Sequence, residues 1–184
     1  MKATLRKTLL LTYPMKNTVL LSLTVCLSLT TAPLVSAADM ISYDVTPSTW
    51  HKAPPRLPDL PLTTTQGTQT NARTVEGKVV LVLFQPDCDH CQREAEAIRE
   101  HLDAFQEYTL YFVTYAEMAD IKQFAQDYQL DDQSNIFFAF AEVQPIVDTF
   151  GSVPTPSLYI YSDEQQLVKA FEGETAIENV LEYL

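Results

Sequence analysis

Two thiols three residues apart, Cys88 and Cys91, lie in the run Cys88-Asp89-His90-Cys91, between the apolar stretch Val79 to Phe84 and a segment whose apolar residues recur at helical spacing. At a strand-to-helix turn such a pair is suited to thiol-disulfide exchange. The first N–H groups of a helix have no backbone partner and carry partial positive charge, so a cysteine at the helix start is stabilised as the thiolate, the attacking species. This makes Cys88 the nucleophile. A mixed disulfide formed there needs a second thiol within reach, and Cys91, one turn later on the same face, is the resolving thiol. Cys91, Ala95, Ile98, Leu102 and Phe105 follow at steps of four, three, four and three, which places Cys91 at the head of a core-facing stripe and Cys88 at its rim.

His90 and Glu94 are the neighbours with a chemical role open to them. A His90 side chain that donates to the Cys88 thiolate lowers its pKa and destabilises the disulfide, which favours an oxidant. Asp87, Asp89, Glu94 and Glu96 crowd the same turn with only Arg93 among them, and like charge works the other way. The residues leave the sign of the net shift open. Glu94, three residues past Cys91, flanks the stripe, where a carboxylate can carry the proton of the resolving thiol. Its plain alternative is a first-turn acid favoured by the helix dipole.

The elements around the pair alternate. Leu62 to Val75, with a Gln66-Gly67 turn, reads as a short hairpin leading into a buried strand at 79–84. The cysteine-bearing helix is followed by a strand at Thr109 to Tyr115, and by a helix carrying Met118, Ile121, Phe124, Ala125 and Tyr128. Asn135 to Phe140 reads as a strand and is followed by a helical turn or two ending near Phe150-Gly151. Ser157 to Tyr161 and Leu167 to Phe171 form a closing hairpin. Thr175 and Glu178 have capping-box spacing for a last helix with Ile177, Val180, Leu181 and Leu184 on one face. The expected class is an α/β sandwich with a mixed central β-sheet flanked by helices. Gly67, Gly77, Gly151 and Gly173 are widely spread, and no glycine-rich phosphate loop supports nucleotide binding.

With 184 residues, 46% of them hydrophobic, the chain is expected to hold one globular domain with an N-terminal extension. Residues 1–38 read as a signal peptide: Lys2, Arg6, Lys7 and Lys16 precede an uncharged stretch from Val19 to Val35, and Ser36-Ala37-Ala38 supplies a cleavage site. The alternative is an N-terminal membrane anchor, against which stand the many Ser and Thr and Pro33. Met15 offers a second start, and Cys26 falls in the segment to be discarded. Residues 39–61, with Pro47, Pro54, Pro55, Pro58 and Pro61, form an extended linker or strap, in which Trp50 anchors to a surface groove; 62–184 form the domain proper. From Asp39 onward eight basic residues face 24 acidic ones, a net −16, which makes nucleic acid and anionic membrane surfaces unsuitable partners. After cleavage only Cys88 and Cys91 remain, one redox pair in an oxidising compartment.

These residues resemble the thioredoxin superfamily and, within it, exported TlpA/ResA-like thiol-disulfide oxidoreductases. The resemblance rests on strand Val79 to Phe84, on Gln85-Pro86-Asp87-Cys88-Asp89-His90-Cys91-Gln92-Arg93-Glu94, and on Val153-Pro154-Thr155-Pro156-Ser157-Leu158-Tyr159-Ile160, and it spans about Pro58 to Leu184. It implies a thioredoxin-like fold, with Cys88 as nucleophile, Cys91 as resolving thiol and Glu94 as the acid of a C-x-x-C-x-x-E pattern that aids proton transfer. It also implies that Thr155-Pro156 is the cis-proline turn, where the Thr155 backbone pairs with an extended substrate. The alternative is that Pro154 and Pro156 are both trans and end a helix. Asp87 stands where a Trp usually precedes the first Cys, which removes an aromatic cover and adds a charge. His90 is similar to its counterpart in strongly oxidising members, whose inserted helical domain has no room between 128 and 155.

The expected activity is an exported thiol-disulfide oxidoreductase, periplasmic or otherwise extracytoplasmic, acting without a cofactor as a reductant of exported proteins with thiols or disulfides. A membrane dithiol would supply its electrons, and the protein would work as a monomer. A second class is a copper-type metal-binding module using Cys88, His90 and Cys91. A closed zinc site wants four ligands, and His51 and His101 are distant in sequence; His101 reads as a solvated flank. Gln92 stands where a c-type haem motif requires His. A permanent disulfide staple across so short a loop would stabilise little.

Overall fold

The computed structural model describes residues 53–184. The expectations for residues 1–38, Cys26, Trp50 and His51 lie outside the described residues. The described chain runs β1 (Pro61–Thr64), β2 (Gln69–Asn71), β3 (Lys78–Leu83), α1 (Asp89–Glu100), β4 (Tyr108–Thr114), α2 (Met118–Asp127), β5 (Ile136–Phe140), α3 (Val143–Phe150), β6 (Ser157–Tyr161), β7 (Leu167–Glu172) and α4 (Ile177–Leu181).

The seven strands form one mixed sheet in the order β2-β1-β5-β4-β3-β6-β7. β3 lies parallel to β4 and antiparallel to β6, with Leu81 opposite Tyr111 on one side and Tyr159 on the other. Its sequence, Lys-Val-Val-Leu-Val-Leu, has no polar alternation because both faces of the sheet are covered. Val80, Val82 and Phe84 point into a core shared with Ile98 of α1, Phe124 of α2 and Val180 of α4. Val79, Leu81 and Leu83 point into a second core, closed by Phe150 of α3 and by Ala53, Leu57 and Leu60 of the Pro-rich segment. Arg56 bridges Gln166 beyond the β6–β7 turn, so this segment runs along the sheet rather than away from it.

Three expectations need correction. The stripe that begins at Cys91 does not stay on one helix: α1 ends at Glu100, and Leu102–Phe105 form a 3-10 turn that still delivers Phe105 to the core at 0% exposure. His101 makes the break, with its N–H on the Ile98 carbonyl and its ring Nδ1 2.9 Å from the Ala97 carbonyl. It is a helix-end cap rather than a solvated flank. The capping box at Thr175 is not made, because the cap residue of α4 is Ala176, which leaves Glu178 one position too early. Ile177 and Val180 are buried as expected, with Leu181 and Leu184 partly buried against the same core. α3 closes at Gly151, whose φ of 75° is the left-handed conformation glycine adopts without cost.

No helix among the described residues is long and apolar enough to cross a membrane.

Phe84 connects this framework to the cysteine turn. It is 1% exposed, meets Phe112 and Phe138 edge to face, and lies 4.7 Å from the Phe124 ring. Phe84→Ala is expected to destabilise the fold by about 3–5 kcal/mol, read as a lower urea midpoint at unchanged slope.

Candidate active site

β3 ends at Leu83, and six residues later α1 begins, so the first turn of the helix stands at the carboxyl end of an interior strand of the sheet. Gln92 Nε2 donates to the Pro86 carbonyl at 3.1 Å, and Thr114 Oγ1 donates to Gln85 Oε1 at 3.2 Å, which ties the loop to α1 on one side and to β4 on the other.

Cys88 is the cap residue of α1. Its Sγ accepts the Cys91 N–H at 3.3 Å. Burial by itself would raise the Cys88 thiol, but hydrogen bonds from the Cys91 side chain and backbone, from Thr155 and from the His90 backbone N–H outweigh it and hold the group below its ordinary value. Cys91 is 1% exposed. Burial and the neighbouring Cys88 sulfur push it up to about 12, against a single backbone donor, the Gln85 N–H at 3.5 Å. Both cysteines are free thiols. The two sulfurs are thus unequal: one is accessible and stabilised as a thiolate, and the other is buried and protonated.

The second wall of the site comes from the segment before β6. The Thr155-Pro156 peptide bond is cis, and the Thr155 carbonyl lies 3.6 Å from Cys88 Sγ. Thr155 Oγ1 is 3.9 Å from the same sulfur. Cys88, Cys91, Thr155 and Pro156 are therefore brought together. Glu94 faces inward from the same helix, 4% exposed, and its Oε1 has no hydrogen-bond partner. Burial, with a smaller contribution from the charge of Glu174, pushes its carboxyl up to about 7. A near-neutral carboxyl one turn beyond the resolving thiol is suited to proton exchange at physiological pH.

His90 has a different place from the one its position suggests. Its side chain is 58% exposed, and ring Nδ1 meets Glu174 Oε2 and Arg93 Nη2. What His90 offers Cys88 is its backbone N–H. Glu174 and Gln85 are the participants that the motif does not reveal. Gln85 carries a positional signal, standing between strand and turn; Glu174 carries none, because only the fold brings a residue 81 positions away onto Arg93.

Two grooves flank the cysteine turn. One, of about 250 Å³, runs past Thr155 and exposes Tyr115, Val143 and Val147 at 51%, 46% and 43%. The other, of about 520 Å³, has Phe124 and Tyr128 on its floor and Asp87, Glu117, Asp120 and Asp127 around it. Among the described residues no group of three or more His, Cys, Asp or Glu comes together as a bound metal would require; the His90 ring is turned to Glu174.

A family profile described as AhpC/TSA family matches residues 55–170. No curated protein matches the chain at a level that shows kinship. Solved structures share its fold at low identity. A secreted Mycobacterium tuberculosis disulfide oxidoreductase homologous to Escherichia coli DsbE is 15% identical, with 68% of this chain and 93% of that chain covered and a TM-score of 0.59. StoA from Bacillus subtilis is 14% identical, over 71% of this chain and 98% of its own, at a TM-score of 0.56. Copper-bound ScoI from Arabidopsis thaliana is 10% identical, over 67% and 91%, at 0.55.

The buried carboxyl has a thermodynamic signature. A folded-state pKa of about 7 against 4.5 means that the native state holds the extra proton between those values, so stability falls as pH rises through this window. The loss is at most about 3 kcal/mol. Urea unfolding of wild type at pH 4.5 and pH 8 should show that fall, and Glu94→Gln should remove most of it; equal pH slopes in the two proteins would contradict the assignment.

Proposed function

The chain belongs to the AhpC/TSA family, and on that premise we propose that it is an exported thiol-disulfide oxidoreductase that reduces disulfides of other exported proteins. The observation that carries this reading is the asymmetry of the pair: Cys88 Sγ at the helix cap, 3.6 Å from the Thr155 carbonyl, with Cys91 buried behind it.

The reaction follows from that arrangement. The Cys88 thiolate attacks one sulfur of a substrate disulfide, which breaks the substrate S–S bond, forms a mixed disulfide and releases a substrate thiolate that takes up a proton. The substrate backbone lies along Thr155-Pro156, with the Thr155 carbonyl next to the reacting sulfur. Glu94 accepts the Cys91 proton. The Cys91 thiolate then attacks Cys88 Sγ, which breaks the mixed disulfide; the second substrate thiolate leaves and takes the proton held by Glu94, and the new Cys88–Cys91 disulfide marks the two electrons passed to the substrate. Two electrons from an external dithiol, such as one presented at a membrane, restore the pair. The donor Cys91, with its pKa pushed up to about 12, is a strong nucleophile once deprotonated and a poor leaving group, and both properties favour the oxidised pair and hence a reductant.

Partner choice follows from the surface. The apolar groove beside Thr155 suits an extended segment with an apolar side chain next to its cysteine, and the net −16 of residues 39–184 favours basic partners. The signal-like residues 1–38 support an extracytoplasmic location, in which substrates carry disulfides.

Cys91→Ser is expected to accumulate mixed disulfides with exported proteins through Cys88, and Cys88→Ser to form none, on non-reducing gels after acid trapping. Insulin reduction by wild type should rise with pH through about 7 as Glu94 ionises. Glu94→Gln should flatten that limb and lower the rate on the order of 10²-fold. Trapping through Cys91 instead, or an unchanged pH profile, would sink the assigned roles.

A further inference from the structure

Glu174, in the loop between β7 and α4, holds the first turn of α1. Its carboxylate takes Arg93 in a fork, Nε to Oε1 at 2.6 Å and Nη2 to Oε2 at 3.1 Å, and Oε2 also meets the His90 ring Nδ1. Arg93 Nη2 lies 2.6 Å from that same nitrogen, which gathers the three side chains around it, with Nδ1 bonding one of the two partners at a time. The residue before Glu174 faces the opposite wall of the cleft: Gly173 donates its N–H to the Pro156 carbonyl at 2.9 Å. Glu172 pairs with Ser157 across the β6–β7 ladder. Two consecutive residues thus hold the Cys88 turn and the Thr155-Pro156 loop together.

We propose that Glu174 is a positioning residue for the cysteine pair: it joins α1 to the Thr155-Pro156 loop and occupies Arg93, the one basic side chain of the first turn, leaving Cys88 without a dedicated counter-ion. The inference rests on the oxidoreductase reading above.

The electrostatics act in one direction. Arg93 is the one basic residue in a turn that holds Asp87, Asp89, Glu94 and Glu96. Hydrogen bonding to Glu174 is the largest influence holding the Arg93 proton, with smaller contributions from the charges of Asp89 and Cys88, so the Cys88 sulfur and the guanidinium act on each other through charge. The hydrogen bonds from Arg93 and His90 hold the Glu174 carboxyl down to about 2. The same charge acts on the buried Glu94 and helps keep it protonated. Side-chain exposures of 39% for Glu174, 52% for Arg93 and 58% for His90 would make any lone pair here weak. A bidentate guanidinium within a three-residue network is the case in which such a contact keeps its geometry.

Removing the carboxylate charge should therefore release Arg93 to Cys88, favour the thiolate and destabilise the disulfide. In glutathione redox buffers with the full-chain protein, Glu174→Gln is expected to lower the equilibrium constant for disulfide formation about tenfold, a shift of about 30 mV towards oxidising potential. Thiolate absorbance at 240 nm should show Cys88 titrating at lower pH. Glu174→Asp should retain the wild-type constant, and Arg93→Gln/Glu174→Gln should return to it, because the released cation is gone. Loss of a merely structural contact would not reverse in the double variant. If Glu174→Gln does not fold, Arg93→Gln carries the test with the opposite sign, a higher constant, since the turn then loses its one basic side chain and keeps all its carboxylates. A wild type that cycles while Glu174→Gln has the same constant, or a double variant displaced as far as the single one, overturns this inference alone. A wild type that forms no reversible disulfide overturns the oxidoreductase reading and this one with it.

Discussion

The hydrogen bond from the Cys91 N–H to Cys88 Sγ, 3.3 Å long, is the contact on which the rest of the site depends. A helix start must place one of its orphan donors on something, and here it is a sulfur. That choice makes Cys88 both a structural cap and the reactive atom. It also commits Cys91 to the inward face one turn later, where burial, with the neighbouring Cys88 sulfur, raises its proton affinity. The difference between the two thiols therefore arises chiefly from helix geometry at the edge of a sheet, with Thr155 adding to it from the facing loop.

The sheet must deliver that helix start to one place. β3 is buried on both faces and paired on both edges, with β4 parallel and β6 antiparallel. Its end is consequently among the least movable points of the chain. β6 begins at Ser157, opposite Leu83, so the segment that precedes it, Thr155-Pro156, arrives next to the cysteine turn from the antiparallel side. The cleft between Cys88 and the Thr155 carbonyl is thus the meeting point of one outgoing and one incoming strand. The apolar groove beside Thr155 and the acidic groove beside Asp87 lie on either side of this meeting point. They add selection by side-chain type and by charge to a backbone contact that any extended segment can make.

Much of this was legible in the residues. The unbroken apolar run of β3 identified a strand covered on both faces, and the spacing of Cys91, Ala95 and Ile98 identified the buried face of α1. Thr155-Pro156 was found through its motif, and its approach to Cys88 follows from strand order. What escaped has physical reasons. Local spacing does not distinguish an α-helix from a 3-10 turn that keeps the same face buried, so the stripe through Leu102 and Phe105 was read as one helix. The capping box at Thr175 has the right letters but starts one residue early. His90 reads as a partner of Cys88 only while its neighbours in space are unknown. Its ring meets Glu174 instead, and no periodicity or motif links residues 90 and 174.

The central claim is that burial of Cys91 outweighs the stabilisation of the Cys88 thiolate and makes the pair a reductant. The reduction potential of the Cys88/Cys91 pair, titrated against glutathione and dithiothreitol with metals chelated, tests it most directly. A value near or below roughly −250 mV is the result expected, and one near roughly −120 mV would contradict it, since the thiolate at the helix cap would then dominate and the protein would oxidise its partners.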